Sequence, residues 1–143
     1  MKLQEIQGRC HCQLNNFVLK WPVAAPVVGR ACSCSYCVSN GAIWTSHPQA
    51  ELVFNEQLKN TLTSYAFGHK TGNFLSCNKC SSLCLATCKS RNKTIAVINT
   101  TILTDVVLSD SHIVKTNFDS ESINERLARR DANWTPVIGS ILS

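Results

Sequence analysis

Long apolar runs are missing from this sequence. No stretch approaches the roughly 18 residues that a membrane-spanning helix requires, and Met1 to Gln7 has no apolar core of the kind a secretory signal carries. These gaps argue against a helical membrane protein and set the expected address as cytoplasmic, with the nucleus possible. Charge is also scarce, at 16% of residues against 44% hydrophobic, with a mean hydropathy of -0.02. Such a balance excludes a low-hydrophobicity disordered chain. Several catalytic signatures are lacking too: no Ser-His-Asp order, phosphate-cradling glycine loop or pair of carboxylates stands out. At 143 residues, set against the roughly 150 of an ordinary domain, residues 1–143 are expected to form a single domain.

Cysteine, by contrast, is abundant, with nine in the chain. A reducing compartment disfavours disulfides, and an odd number would strand one thiol in any framework of bridges. Metal thiolates satisfy both facts. The Asn-x-Ser/Thr matches at Asn92, Asn99 and Asn133 act as glycosylation acceptors only in a secreted protein, so the same argument reads them as chance.

From Asn16 to about Val107 the chain alternates short β-branched or aromatic segments with Pro, Gly and Asn. Phe17 to Trp21, Val27 to Ala31, Ala42 to Thr45, Glu51 to Phe54, Thr63 to Phe67, Asn73 to Leu75, Leu83 to Ala86 and Thr94 to Ile98 are expected strands of a mainly β domain. One helix is expected near the end. Ser122-Ile123-Asn124-Glu125 matches a capping box, Ile123 and Leu127 fall on one face, and Arg129 and Arg130 suit a solvated last turn at the negative end of the helix dipole.

The cysteines cluster: Cys10-His11-Cys12 is a CxC, Cys32-Ser33-Cys34-Ser35-Tyr36-Cys37 a CxCxxC, and Cys77-Asn78-Lys79-Cys80 a CxxC. Such spacings let one turn aim several sulfurs at an ion about 2.3 Å away while backbone amides donate to the thiolates. Seven clustered sulfurs divide as four plus three. Four close a structural zinc site, whereas three leave a position open for substrate, as catalytic zinc requires. Spacing alone does not say which groups share an ion. Cys84 and Cys88, in an expected strand, are read as buried packing residues.

Gly8-Arg9-Cys10-His11-Cys12, the CxCxxC followed by Asn40-Gly41-Ala42, and Cys77-Asn78-Lys79-Cys80 together resemble the glutathione-dependent formaldehyde-activating enzyme and centromere protein V family. The likeness runs over residues 8–107, leaving 108–143 as a C-terminal extension with the short helix. It implies a β-tent of zinc-pinned twisted sheets and two zinc ions per chain. Cys10, Cys12, Cys77 and Cys80 would hold the structural ion, and Cys32, Cys34 and Cys37 the catalytic one. Where the family commonly has Gly after the CxC and the CxxC, this chain has Gln13 and Ser81, so those knuckles are expected to be slightly reshaped, glycine being the residue that takes positive φ freely. Ser76 replaces an aromatic before the CxxC. Val38 replaces a basic residue after the CxCxxC, removing a partner for a glutathione carboxylate.

An open three-thiolate zinc suits chemistry in which a thiol meets an electrophilic carbon, because zinc ionises the thiol and orients a carbonyl oxygen. The implied function is a zinc-dependent carbon-sulfur lyase acting on a small-molecule thiol, such as glutathione, and an aldehyde, in the manner of S-(hydroxymethyl)glutathione synthase. The alternative is a non-catalytic zinc module for a protein or chromatin partner, which needs no open site. Ser35, Tyr36 and Asn40, within or beside the CxCxxC, are candidate substrate-binding residues. His11 is expected to point away from the metal, and His47, His69 and His112 to lie on the surface. No specific nucleic acid is expected: seven thiolates on two zinc ions reduce the formal +5 to about +2, and the basic residues are scattered apart from Arg126, Arg129 and Arg130.

Overall fold

A computed structural model describes residues 1–54 and 60–139 and is mainly β. The strands are β1 (Leu3–Arg9), β2 (Asn16–Pro22), β3 (Gly29–Cys32), β4 (Trp44–Thr45), β5 (Glu51–Phe54), β6 (Leu62–Tyr65), β7 (Asn73–Cys77), β8 (Leu83–Ser90), β9 (Lys93–Asn99), β10 (Ile113–Thr116) and β11 (Thr135–Ile138). Among the described residues two α-helices accompany them: α1 (Ser35–Ser39), one turn within the CxCxxC, and α2 (Ile123–Asn133).

The strands form one branched sheet ordered β1-β2-β5-β11-β9-β4-β3-β10, with β6-β7-β8 joined to it through β8 and β9. β9 is the hub because its Thr94 to Ile98 run is β-branched and apolar. One edge pairs with β8, from Ser90 opposite Lys93 to Leu85 opposite Ile98. The other edge is shared by β11, with Thr135 opposite Ala96, and β4, with Trp44 opposite Asn99. Ile95 through Asn99 are all buried, as a strand covered on both faces demands.

The core has two parts, each carrying one group of cysteines. Phe17, Leu19, Trp21, Leu52, Leu75 and Ile98 pack around Cys10 and Cys77. Trp44, Leu83, Ile95, Val97 and Trp134 pack around Cys37. Fixing the cysteine backbones in dense apolar surroundings limits how far the sulfurs can drift.

Each of the eight strand segments read from the sequence overlaps a strand, with ends that differ by up to four residues. Three strands were not foreseen. β1 is a largely exposed edge strand in which only Gly8 is buried, β10 has four residues with no fully buried one, and β11 contains Pro136. The C-terminal extension thus supplies β10, parallel to β3, and β11, parallel to β5; its positions 140–143 lie outside the described residues.

Helix α2 starts as expected, with Ser122 and Glu125 exchanging the two bonds of a capping box, but its inward face differs. Ile123 is 42% exposed, while Arg126, Leu127, Arg129 and Arg130 are each partly buried. Arg129 and Arg130 are therefore not a solvated last turn: residues at i, i+3 and i+4 share a helix face, and here that face looks into the protein. No described helix is long and apolar enough to cross a membrane.

Candidate metal centres and active site

The sulfurs of Cys10, Cys12, Cys77 and Cys80 lie within 4.8 Å of one another. Cys10 and Cys12 stand in the β1-β2 turn, while Cys77 ends β7 and Cys80 follows it. Two separations are 3.7 Å, for Cys10 to Cys12, and 3.6 Å, for Cys12 to Cys77. A tetrahedron with zinc-sulfur bonds of about 2.3 Å has edges of about 3.8 Å, so the four sulfurs could hold such an ion.

Amides complete the arrangement. Asn15 N–H donates to Cys10 Sγ at 3.3 Å, and the Lys79 and Cys80 amides both donate to Cys77 Sγ at 3.4 Å. A hydrogen bond with Ser82 leads the factors that hold the Cys80 thiol down at about 5, so this sulfur ionises readily. Gln13 and Ser81 both adopt φ of 66°. The knuckles have therefore kept the left-handed turn that glycine favours, and the expected reshaping is absent from their backbone.

Cys32, Cys34 and Cys37 form the second group, their sulfurs also within 4.8 Å of one another. Cys32 ends β3, Cys34 caps α1, and Cys37 lies within that helix. Cys34 Sγ accepts the Cys37 amide at 3.4 Å, and Cys37 Sγ accepts the Trp44 indole N–H at 3.3 Å. Cys37 holds Cys32 down at about 5 by hydrogen bonding, while the same bond and burial push Cys37 up. Cys32 thus ionises more readily than Cys37.

All three line a cavity of about 360 Å³, within the usual size range of small-molecule sites. Trp44, Phe67, Phe74, Phe118 and Trp134 supply apolar wall, and Arg30, Arg126, Arg129 and Arg130 bring positive charge. Exposed His69 is at the rim, with Asp119 among the lining. Ser35, Tyr36 and Asn40 are elsewhere. Ser35 opens α1 and is exposed; the Tyr36 ring packs 4.5 Å from Phe74 and 5.3 Å from Tyr65; Asn40 Nδ2 donates to the Tyr36 carbonyl at 2.9 Å. Val38 is 65% exposed and does not line the cavity.

Cys84 and Cys88 are buried and belong to neither cluster. Burial, with the nearby Cys10, Cys77 and Cys80 charges behind it, pushes Cys84 up to about 12, which suits a packing role. His11 is exposed beside Ser82, whose hydroxyl accepts its amide at 3.3 Å. The arginines of the cavity went unrecognised in the sequence, although 126, 129 and 130 carry the spacing of a shared helix face. Arg30 has no such local signal.

No family model matches the chain, and no curated protein matches it. Among solved structures it is similar to a Rhodobacter sphaeroides protein determined as a Northeast Structural Genomics target. The two are 25% identical with a TM-score of 0.57, over 76% of this chain and 97% of the other.

Proposed function

We propose that this protein is a zinc-dependent carbon-sulfur lyase that joins or separates a thiol and an electrophilic carbon such as an aldehyde. The observation that carries the reading is that Cys32, Cys34 and Cys37 contribute three sulfurs, rather than four, and face a cavity. The resemblance to the glutathione-dependent formaldehyde-activating family points the same way.

In this reading two zinc ions are resident. Cys10, Cys12, Cys77 and Cys80 hold a structural ion, and Cys32, Cys34 and Cys37 a catalytic one. Zinc at the second position would supply thiol ionisation and carbonyl polarisation. The protein's own part is to position and to exclude water. Trp44 N–H fixes the Cys37 sulfur, as hydrogen-bond donors to metal ligands do, and the aromatic walls dry the space in which sulfur meets carbon. The reaction is an addition without redox change: a C–S bond forms, the C=O π bond breaks, and the thiol's proton ends on the former carbonyl oxygen.

The test is metal analysis together with exchange spectroscopy of thiol and formaldehyde mixtures by NMR. Two zinc ions per chain, and exchange accelerated by the wild type but not by Cys34→Ser, are expected. A second site with four protein ligands, or no metal there in zinc-replete protein, would instead favour the non-catalytic module.

A further inference from the structure

Two buried side-chain polar atoms have no hydrogen-bond partner among the described residues, Thr116 Oγ1 and Arg130 Nε. Arg130 is otherwise tied down, its Nη1 donating to Thr71 Oγ1 at 3.0 Å and to Cys88 Sγ at 3.6 Å. Thr116 has a single hydroxyl and no other polar atom on its side chain. Buried hydroxyls almost always find a partner in the fold, and an exception needs a reason, a catalytic role among them.

The place of this hydroxyl supplies one. Thr116 ends β10 in parallel register with Cys32 at the end of β3, and the Ser33 amide secures the pairing by donating to the Thr116 carbonyl at 3.0 Å. Neighbouring strands lie about 4.8 Å apart, with paired residues on one face, and both Thr116 and Cys32 line the cavity. Rotation about the threonine Cα–Cβ bond exchanges a hydroxyl and a methyl of similar size, so the hydroxyl can face the cavity with little repacking. Other polar groups of the wall are already engaged: Trp44 N–H with Cys37, Arg30 with Ser46, and Arg129 with Glu121.

We infer that Thr116 is the oxygen-binding residue of the reaction at the cysteine trio: its hydroxyl donates a hydrogen bond to the carbonyl oxygen of the electrophile and holds that oxygen while the carbon-sulfur bond forms. This rests on the lyase reading and adds a residue to it. As negative charge grows on the oxygen the donated bond strengthens, and the aromatic wall of Trp44, Phe118 and Trp134 keeps water from competing. A hydroxyl both donates and accepts, so it serves the carbonyl and the alcohol that replaces it. The balance is unchanged: the C–S bond forms, the C=O π bond breaks, the thiol's proton ends on the former carbonyl oxygen, and Thr116 keeps its own.

The test is calorimetric titration of zinc-loaded protein with 2-mercaptoethanol, a stable mimic of the hydroxyl-bearing adduct, and with propane-1-thiol, in which a methyl replaces that hydroxyl. Zinc-edge absorption counts the sulfur ligands. The affinity of the alcohol relative to the alkyl thiol should fall about threefold to tenfold in Thr116→Val and in Thr116→Ala, the worth of a neutral hydrogen bond, and should be kept in Thr116→Ser. Thr116→Val should hold its zinc and melt no lower than wild type, because it removes a buried hydroxyl that the fold does not bond. An unchanged ratio in Thr116→Val and Thr116→Ala, with each thiol adding a sulfur to the zinc, would overturn the role of Thr116 and leave the thiol chemistry standing. Neither thiol adding a sulfur to wild-type zinc would overturn the lyase reading and this inference together. Variants that lose zinc or melt early while the ratio stays intact would show a hydroxyl serving the fold or the Cys32 sulfur, which also overturns the inference.

Discussion

Replacing Cys80 by Ser should damage the fold far more than replacing Cys34 by Ser. The four-cysteine group joins positions separated by 65 residues, Cys12 and Cys77, so an ion there closes a long loop and fastens the β1-β2 turn to the β7-β8 turn. The loop-closure relation used for disulfides gives about 4 kcal/mol for that length. Against a net domain stability of about 5–15 kcal/mol, such a loss lowers the melting temperature by roughly 8–16 °C for a chain of this size. Cys32, Cys34 and Cys37 span only a local segment ending in α1. Their crosslink constrains little chain, and its loss should cost no more than about half as much. The assay is thermal unfolding by circular dichroism of zinc-loaded proteins, with zinc counted after challenge by a competing chelator. Each variant should retain one tightly held ion, but Cys80→Ser should melt clearly earlier than Cys34→Ser. Equal melting of Cys80→Ser and wild type, or an equally large loss in Cys34→Ser, would refute the division into a fastening site and an open one.

Trp44→Phe removes the indole donor to Cys37 Sγ while keeping a ring in the core; metal affinity at the trio should fall about 10- to 100-fold, as measured by chelator competition. Gln13→Gly relieves a φ of 66°, and the relief of about 1–2 kcal/mol less glycine's entropy cost of about 0.5–1 kcal/mol should leave the variant equal to or slightly more stable than wild type in urea unfolding. Glu121 is held below the usual carboxylate range, first by its hydrogen bond from Arg129. Its folded value being the lower one, its contribution is present above the ordinary carboxylate range and lost as pH falls through the depressed value. Glu121→Gln should cost about 1 kcal/mol at neutral pH, and the difference from wild type should vanish in acid.

The cysteine groups were legible because metal-ligand spacing is a local property: the CxCxxC lies within one turn of chain, and its three sulfurs meet without help from distant strands. Pairing the CxC with the CxxC is a tertiary fact, supplied by the sheet. Strands β2 and β5 showed themselves through apolar and aromatic runs, and β9 through a β-branched one, and these runs feed the core clusters. β1 did not, because Leu3–Arg9 is mostly exposed, with Ile6 as its partly buried hydrophobic on the core. The helix cap was readable from four residues, whereas its inward face was not. Periodicity registers apolar stripes, and the inward residues of α2 are mostly arginines, which line the cavity beside its aromatic wall.

That placement of arginine also bears on nucleic acid. The chain has a formal charge of +5 and 14 Lys and Arg residues, a balance that invites a phosphate-backbone partner. Arg30, Arg126, Arg129 and Arg130 line one cavity with Cys32 and Trp44, so much of the arginine charge is gathered at a concave site suited to a small anion. Seven zinc-bound thiolates would reduce the net charge to about +2. Backbone binding needs many exposed cations, each releasing a counterion, and base stacking needs an exposed aromatic platform. Trp44 is 5% exposed and Trp134 8%, leaving neither indole free to stack on a base. Fluorescence anisotropy with single- and double-stranded DNA and RNA should therefore find only weak binding that disappears on modest addition of salt. Tight retention that resists salt would mean that the exposed lysines act together as a phosphate-binding surface, and would favour a chromatin-binding module over the lyase.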